Sequence, residues 1–387
     1  MLRLMEPPLR EAEYERALTA TGERLLGWLF SDVLPLWSRA GRAPVGWHDS
    51  LGRDLRPTAD PLRMRVQARQ VYAFAEAGRL GWTGPWRDAL EHGLDFLVRH
   101  ATRPDGLAAH TFAPDGGVIE AGPDLYDQAF TLFAYAAAFG ATRDGRALAG
   151  ARRLRDALAP YAHRSGGYRE LAGPLLRANP QMHTLEAVLL WAAYDDDPCW
   201  MELARSLARL CAERLTDPAT DALHEVFVGD WTPAPGQTGE CTEPGHHFEW
   251  AWLIDREELA TPPGLALRLC ERAERVGVDR NRKVAVNAVS ADGTVVDAKA
   301  RLWPQTERLK AALAMRPHDP AVWTGRAVES AETILAYAAP MPPGLWLDVM
   351  SADGTLAEEA APASSLYHVT CAVSELARAA GLVRPRW

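Results

Sequence analysis

A helix that begins with polar residues recurs about every sixty residues along this chain. The predicted starts of these helices lie near Pro61, Asp124, Met182, Gly245, Trp303 and Ser365. A repeat of this length holds two helices and their connections, and neighbouring copies stack to bury a continuous core. Six copies use nearly the whole sequence. The spacing therefore predicts an all-α protein folded as an (α/α)6 barrel, with the polar-headed helices inside.

The other helix of each repeat is predicted to lie on the outside of the ring. These helices are expected over residues 11–36, 85–100, 144–160, 199–215, 262–276 and 322–338, with Pro35 ending the first of them. Turn-forming residues at 104–106 and 114–117 flank the alternating segment Leu107–Phe112, which predicts a short β-hairpin in a loop. No long polar linker divides the pattern, so residues 1–387 are expected to form one catalytic domain.

Composition narrows the class of protein. Hydrophobic residues make up 48% of the chain and charged residues 24%, which is typical of a globular protein with a sizeable core. No segment approaches the roughly 18 apolar residues that a membrane span needs, and residues 1–30 lack the order of a signal peptide. The five cysteines are widely spaced and odd in number, which favours reduced thiols. We therefore expect a soluble cytoplasmic protein, monomeric or homodimeric.

The charge and the aromatic residues point to a small-molecule partner. A net charge of −9 argues against nucleic acid, whose binding depends on lysine and arginine contacts with phosphates. The 14 tryptophans suit a sugar, because an indole ring stacks on the apolar face of a sugar ring while its N–H binds a hydroxyl group.

Polar residues near the starts of the inner helices form the candidate site. If these helices are parallel, their N-terminal ends meet at one mouth of the barrel, where their free N–H groups favour a developing negative charge. The residues predicted to converge there are Arg69, Tyr126, Asp127, His183, Glu186, His246, Glu249, Trp250, Trp303, Gln305, Glu307 and His368.

The segment Pro244–Trp252 carries the clearest chemical signal of this set. His246 and Glu249 are three residues apart and share a helix face, so the carboxylate is predicted to hold the imidazole in one tautomer. Such a pair is a candidate general acid–base unit. His247 faces about 100° away and is left out of the catalytic set.

Structural roles remain open for several candidates. His183 and His368 have alternatives as helix caps, and Trp250 and Trp303 as core residues. Asp127 and Glu307 have an alternative as partners of buried arginines.

Metal binding and a serine or cysteine nucleophile are both disfavoured. Helical bundles that bind iron use the order Glu-x-x-His with further bridging glutamates, whereas this chain has two His-x-x-Glu pairs without that set. No Gly-x-Ser-x-Gly motif is present. We expect neither a metal nor another cofactor.

Six motifs together resemble one known family over essentially the whole chain. They are Gln67–Arg69, Asp124–Phe130, Asn179–His183 with Glu186, Pro244–His246 with Glu249–Trp250, Trp303–Glu307, and Tyr367–His368. The chain is similar to the N-acylglucosamine 2-epimerase superfamily, which includes sugar 2-epimerases, sulfoquinovose isomerase and D-mannose isomerase. One departure is Val369–Cys371, because many relatives have a proline two residues after the histidine.

The resemblance implies an (α/α)6 barrel and catalysis without metal or redox cofactor through a cis-enediol or enediolate. By position it implies that His246 and His368 form the acid–base pair, that Arg69 stabilises the enediolate oxygens, and that His183 binds substrate or opens the ring. Glu249 would orient His246, and Glu186 would orient His183. The other residues implied to contact the substrate are Trp303, Glu307, Tyr126, Asp127 and Trp250.

Several reactions share this intermediate or this fold. The segments around Arg69 and Tyr126 resemble those of mannose isomerases most, so D-mannose to D-fructose is placed first, D-lyxose to D-xylulose is a side activity, and 2-epimerisation is second. A free neutral sugar is favoured because no phosphate loop is present. A glycoside hydrolase that uses two of Asp127, Glu249 and Glu307 is an alternative of another class. A sugar-binding or protein-interaction role without catalysis is the third.

Overall fold

The computed structural model describes residues 11–383, which form a closed double ring of helices. In chain order the helices are α1 (Glu11–Trp28), α2 (Leu34–Ala40), α3 (Met64–Leu80), α4 (Trp86–Phe96), α5 (Leu125–Thr142), α6 (Gly145–Leu158), α7 (Ala178–Ala192), α8 (Cys199–Leu210), α9 (Gln237–Glu240), α10 (Pro244–Ile254), α11 (Leu265–Val276), α12 (Leu302–Met315), α13 (Pro320–Ala338) and α14 (Ser364–Ala379). The predicted single domain also included residues 1–10 and 384–387, which lie outside the described part.

The inner ring consists of α3, α5, α7, α10, α12 and α14, each of which packs on the next, and α14 returns to pack on α3. Helices α4, α6, α8, α11 and α13 pack outside α3, α5, α7, α10 and α12, while α1 packs on α13 and α14. The observed inner starts lie within four residues of the predicted ones. The predicted (α/α)6 barrel is therefore confirmed.

Inner and outer helices differ in how they meet the core. Helix α5 is buried along most of its length because apolar or small residues occupy nearly all of its faces. Helix α8 is amphipathic and buries one face, on which Trp200 stacks against Trp191 of α7 with ring centroids 5.3 Å apart. Burial of these aromatic rings fastens the outer ring to the inner one.

The first helix differs from its prediction. Pro35 does not end it, because α1 continues through a π-helical turn at Leu29–Val33 into α2, which runs to Ala40. Pro35 lies just after this π-helical turn, where the hydrogen-bond pattern of the continuous helix is already irregular.

Short strands fill the loops. They are β1 (Ser50–Leu51), β2 (Leu62–Arg63), β3 (Thr111–Phe112), β4 (Val118–Glu120), β5 (Leu176–Arg177), β6 (Val226–Val228), β7 (Thr232–Pro233), β8 (Cys241–Thr242), β9 (Val278–Asp279), β10 (Val284–Ala285), β11 (Ala288–Ser290), β12 (Val295–Asp297), β13 (Ala300–Arg301), β14 (Val349–Met350) and β15 (Ala361–Pro362). All pairs are antiparallel; in one sheet Leu62 pairs with Phe112, and Phe112 pairs with Val118 across the predicted hairpin turn. Several strands lead directly into inner helices and so surround the N-terminal mouth.

A repeated glutamine fastens these loops to the inner helices. In each case the fourth residue of an inner helix bonds both the N–H and the C=O of one loop residue, at 2.7–3.0 Å. The pairs are Gln67 with Trp47, Gln128 with Ala108, Gln181 with Tyr168, and Gln305 with Ala285. In α10 the same position is His247, whose Nε2 accepts from the N–H of Leu223. We call the four glutamine contacts the glutamine clamps.

Within the described residues, none of the helices has the length and apolar run that crossing a bilayer requires.

Candidate active site

A cavity of about 340 Å³ opens where the N-terminal ends of the inner helices meet. Its lining is polar and is formed by Arg63, Arg65, Arg69, Asp124, Tyr126, Arg177, Asn179, Pro180, Glu243, His246, Glu249, Arg301, Trp303, Ser364 and His368. Six predicted site residues therefore reach it, namely Arg69, Tyr126, His246, Glu249, Trp303 and His368. The convergence predicted from parallel inner helices is thus present for six of the twelve residues.

His246 is held by a carboxylate from a loop. Its Nδ1 lies 2.9 Å from Glu225 Oε2 and 3.8 Å from Glu243 Oε2. Burial favours a neutral imidazole, but the negative charges of Glu225 and Glu243 outweigh burial and raise the pKa of His246 to about 10. His246 is therefore protonated at neutral pH.

Glu225, rather than the predicted Glu249, is thus the carboxylate that holds His246. The prediction that Glu249 orients His246 is wrong, because a helical side chain leans toward the N-terminus and His246 reaches the mouth while Glu249 lies one turn deeper. Glu225 precedes β6, 21 residues before His246, and no sequence spacing marked it.

His368 has the opposite electrostatic environment. Its Nδ1 lies 2.8 Å from Glu307 Oε1, so Nδ1 carries the proton that it donates and Nε2 has a free lone pair. Burial, followed by the positive charges of Arg69 and Lys310, keeps the pKa of His368 well below its usual value. His368 is therefore neutral at neutral pH and suited to accept a proton.

Trp303 packs against both histidines. Its ring centroid lies 5.0 Å from that of His246 and 5.7 Å from that of His368, with ring planes tilted by 35° in both cases. An indole that lines the cavity beside both rings offers a stacking surface for a sugar. Because one of these histidines is protonated and the other is neutral, the first can act as an acid and the second as a base in the same cavity.

Arg69 brings a positive charge to the same cavity. Its Nη1 donates to the C=O of Ser364 at 3.1 Å and its Nη2 donates to the hydroxyl of Tyr126 at 2.6 Å. The guanidinium lies 4.2 Å from the ring centroid of Phe130. Among residues 11–383, no carboxylate lies within 4.0 Å of it, and the buried Nε has no hydrogen-bond partner. This charge is available to an anionic oxygen in the cavity.

His183 and Glu186 lie below the cavity rather than in its lining. His183 Nδ1 is 3.2 Å from Glu186 Oε2 and 3.8 Å from Glu249 Oε1, and burial lowers the pKa of His183 to about 4. Glu186 accepts hydrogen bonds from Tyr367 at 2.5 and 2.6 Å. The predicted Glu186–His183 contact is present, but direct substrate contact by either residue is not supported by their position.

Glu249 lies at the floor of the cavity, and among residues 11–383 its buried carboxyl group is neither hydrogen-bonded nor readily ionised. In the described part of the chain neither of its oxygens has a hydrogen-bond partner. Burial, followed by the negative charge of Glu307, raises its pKa well above the usual value. A neutral carboxyl group there can donate a hydrogen bond to a sugar hydroxyl.

Glu307 is a positioning residue in the interior. Besides His368 it contacts Lys310, whose Nζ is 2.6 Å away and fully buried. Burial disfavours the charge of Lys310, but Cys371 and Glu307 raise its pKa above the usual value. Sequence reasoning missed Lys310, although a lysine three residues after a motif glutamate on a buried helix was a usable signal.

Asp127 and Trp250 do not line the cavity either. Asp127 accepts from Arg65 Nε at 2.8 Å and lies 2.5 Å from His110 Nδ1, which makes it the partner of a half-buried arginine. Trp250 is fully buried in the core. Asp127 and Trp250 thus take the structural roles that the sequence left open, whereas Glu307 pairs with Lys310 and His368 rather than with a buried arginine.

Within residues 11–383, three clusters of histidine and glutamate hold possible ligand atoms within 4.8 Å of one another: His183–Glu186–Glu249, Glu225–Glu243–His246 and Glu249–Glu307–His368. The third already faces the Lys310 ammonium, and a high pKa keeps His246 protonated in the second. Both features oppose a cation, because metal ligands must be deprotonated and like charges repel.

Comparison with known proteins agrees with this architecture. The family model for N-acylglucosamine 2-epimerase matches residues 46–372. A protein of Rhizobium meliloti (strain 1021) named mannose-6-phosphate isomerase is 40% identical over 369 residues, covering 91% of this chain and 95% of that protein. A D-mannose isomerase of Thermobifida fusca is 29% identical over 302 residues, covering 70% and 72%.

Among solved structures, cellobiose 2-epimerase of Spirochaeta thermophila DSM 6192 superposes with a TM-score of 0.83. The match has 22% identity and covers 95% of this chain and 98% of that one, so it supports the fold alone. The family match and the 40% identical relative carry the assignment further. The chain belongs to the N-acylglucosamine 2-epimerase family and is an enzyme of its sugar isomerase and epimerase class.

Proposed function

We propose that this enzyme is an aldose–ketose isomerase that converts a sugar of the mannose configuration, D-mannose, to its ketose, D-fructose. The observation that carries the proposal is the pair of cavity histidines with opposite charge states, His246 protonated and His368 neutral, beside the unpaired charge of Arg69. This set supplies a base, an acid and a stabilising charge for proton removal next to a carbonyl.

After the ring opens, His368 Nε2 takes the proton from C2, and the electron pair of that bond forms the C1–C2 double bond of the enediolate. Arg69 stabilises the negative charge that develops on O1, and His246 donates a proton to that oxygen. Return of the carbon-bound proton to C1, with loss of the O2 proton to His246, forms the ketone at C2. Atoms and charge balance without an external reductant.

D-Lyxose is a reasonable side substrate because it shares the configuration of mannose from C2 to C4 and lacks only the terminal carbon. The names of the two curated relatives join mannose with isomerisation, which supports placing D-mannose to D-fructose first. As part of the proposal we expect the reaction to need no metal or redox cofactor, and the enzyme to work in the cytoplasm as a monomer or homodimer.

Epimerisation at C2 is the second candidate, because it starts from the same enediolate and the family model bears the name of a 2-epimerase. Delivery of the proton to C2 from the opposite face would give D-glucose instead of D-fructose. The hydrolase alternative has less support: of Asp127, Glu249 and Glu307, only Glu249 lines the cavity.

Proton NMR of D-mannose with the enzyme in D2O tests the proposal. Fructose with deuterium at C1 is the expected product. Glucose with deuterium at C2 would replace isomerisation by epimerisation. Release of a monosaccharide from a β-linked disaccharide, with no ketose from mannose, would overturn both.

A further inference from the structure

The mouth of the cavity carries a pattern of charge that the proposed chemistry does not use. The residue that directly precedes each inner helix alternates around the ring: Arg63, Asp124, Arg177, Glu243, Arg301 and then Ala363. We call Arg63, Arg177 and Arg301 the rim arginines. They precede α3, α7 and α12, every second helix of the inner ring, so they approach the mouth from three sides.

All three rim arginines line the cavity, and two of them are held by an aspartate on the side away from the cavity. Arg63 Nε donates to Asp49, whose other oxygen accepts from the backbone N–H of Arg63 at 2.9 Å. Arg301 Nε donates to Asp348 at 3.2 Å. The two aspartate side chains are only 4% and 6% exposed. Buried carboxylates therefore orient two guanidinium groups through Nε.

The outer nitrogens of these groups remain available. Across residues 11–383, Nη1 and Nη2 of Arg63 and Arg301 make no hydrogen bond, and Arg177 has no carboxylate within 4.0 Å. A guanidinium with free Nη groups presents donors in the forked geometry that matches two oxygens of a phosphate group.

The charge balance of the cavity is also unusual for this protein. Five arginines line it against three carboxylates, Asp124, Glu243 and Glu249, although the whole chain has a net charge of −9. Burial raises the pKa of Glu249, which reduces its negative charge, while Glu243 lies 3.8 Å from the protonated His246. Buried aspartates compensate Arg63, Arg65 and Arg301 from the side away from the cavity. Within residues 11–383, Arg69 and Arg177 have no carboxylate within 4.0 Å, and their charges favour a dianionic group in the cavity.

We propose that the preferred substrate carries a phosphate ester on its terminal carbon, and that Arg63, Arg177 and Arg301 bind this phosphate while His246 and His368 act at the other end of the sugar. The inference rests on the proposed isomerisation and replaces the free neutral sugar favoured from the sequence. It assigns to the rim arginines a role in specificity, separate from the proton transfers.

Steady-state kinetics with D-mannose and D-mannose 6-phosphate test the inference, with the ketose quantified by NMR. The expected kcat/KM is at least tenfold higher for the phosphorylated sugar. Arg177→Gln is the most informative variant because Arg177 has no carboxylate within 4.0 Å in residues 11–383, although its charge also acts on the partly buried Glu170. It should lower kcat/KM for the phosphorylated sugar at least tenfold more than kcat/KM for free mannose, mainly through KM.

Arg301→Gln and Arg301→Lys provide a second comparison, with thermal unfolding as a check on folding. The glutamine variant should lose preference for the phosphorylated sugar, and the lysine variant should retain part of it. Arg99→Gln is the matched control, since Arg99 is 68% exposed and outside the cavity lining. Inorganic phosphate should compete with the phosphorylated sugar in the wild type and Arg99→Gln, and less well in Arg177→Gln.

The outcomes separate the two proposals. Equal or higher kcat/KM for free mannose, or equal effects of Arg177→Gln on both sugars, would overturn the phosphate inference and leave the isomerase standing. Phosphorylated sugar that inhibits without turnover would also overturn it. No ketose from either sugar would overturn the proposed function itself.

Discussion

The charge state of His246 depends on Glu225, and replacing that glutamate by glutamine tests the assignment of His246 as the acid. The pKa of His246 rises from 6.5 to about 10 in the folded protein, even though burial acts in the opposite direction. At about 1.4 kcal/mol per pKa unit, this shift corresponds to roughly 5 kcal/mol in favour of the protonated form. Glu225, in contact with Nδ1 at 2.9 Å, is the largest of the groups that raise it.

In Glu225→Gln the burial remains while this charge is lost, so the pKa of His246 should fall by at least about two units. The wild-type enzyme should hold its activity to about pH 9, whereas the variant should lose activity as pH rises above 7. A pKa of about 8 leaves roughly a quarter of His246 protonated at pH 8.5, so we expect kcat at that pH to fall at least about fourfold and to recover substantially at pH 6.

The assay is the pH profile of kcat and kcat/KM for ketose formation between pH 5 and 10. Glu240→Gln is the control, because Glu240 is exposed and makes no contact with His246. Glu243→Gln should shift the basic limb less, since its carboxylate lies 3.8 Å from Nδ1. A basic limb in Glu225→Gln that coincides with that of the wild type would refute the acid role of His246 as derived from this contact.

Four further predictions follow from the same contacts. His368→Ala should lower kcat at least about 10³-fold with an unchanged circular dichroism spectrum, because it removes the proposed base; near-normal turnover would remove His368 from that role. Arg69→Lys should keep the charge but lose the forked donors and with them at least about tenfold in kcat, and wild-type kinetics would contradict the enediolate assignment. Dialysis against a chelator should leave turnover unchanged, whereas loss restored by a divalent metal would refute a metal-free reaction. Burial lowers the pKa of His183 and of His247 to about 4, so both stay neutral in the folded protein but take up protons in the unfolded chain below pH 6.5. Urea unfolding should therefore show a free energy of unfolding that falls between pH 6.5 and 4, by up to roughly 3 kcal/mol per histidine. A constant free energy of unfolding across that range would contradict this prediction.

The fold could be predicted from the sequence because its repeat leaves local signals. Polar residues near Asp124, Gly245 and Ser365 head apolar helices at a nearly constant interval, and six such repeats use nearly the whole chain. The cavity positions of His246 and His368 followed from that repeat. Their roles in catalysis stay predictions.

The partners of the histidines could not be predicted in the same way. Spacing along one helix suggested Glu249 for His246, but the hydrogen bond comes from Glu225 in a loop before β6. His368 takes its partner, Glu307, from the neighbouring inner helix, 61 residues away. The first contact depends on how a loop folds over the barrel mouth and the second on how neighbouring inner helices pack, and i, i+3 spacing carries no information about either. The contact of Asp127 in α5 with Arg65 in α3 also arises from the packing of inner helices.

The glutamine clamps make the barrel modular. Each clamp recognises only the main-chain N–H and C=O of one loop residue, such as Trp47 or Ala108, so it places no demand on the loop's side chains. A loop can therefore be lengthened or exchanged beyond that anchor while the helix beneath keeps its orientation. The mouth can acquire new specificity by loop grafting, with the histidines and Arg69 left in place on the inner helices.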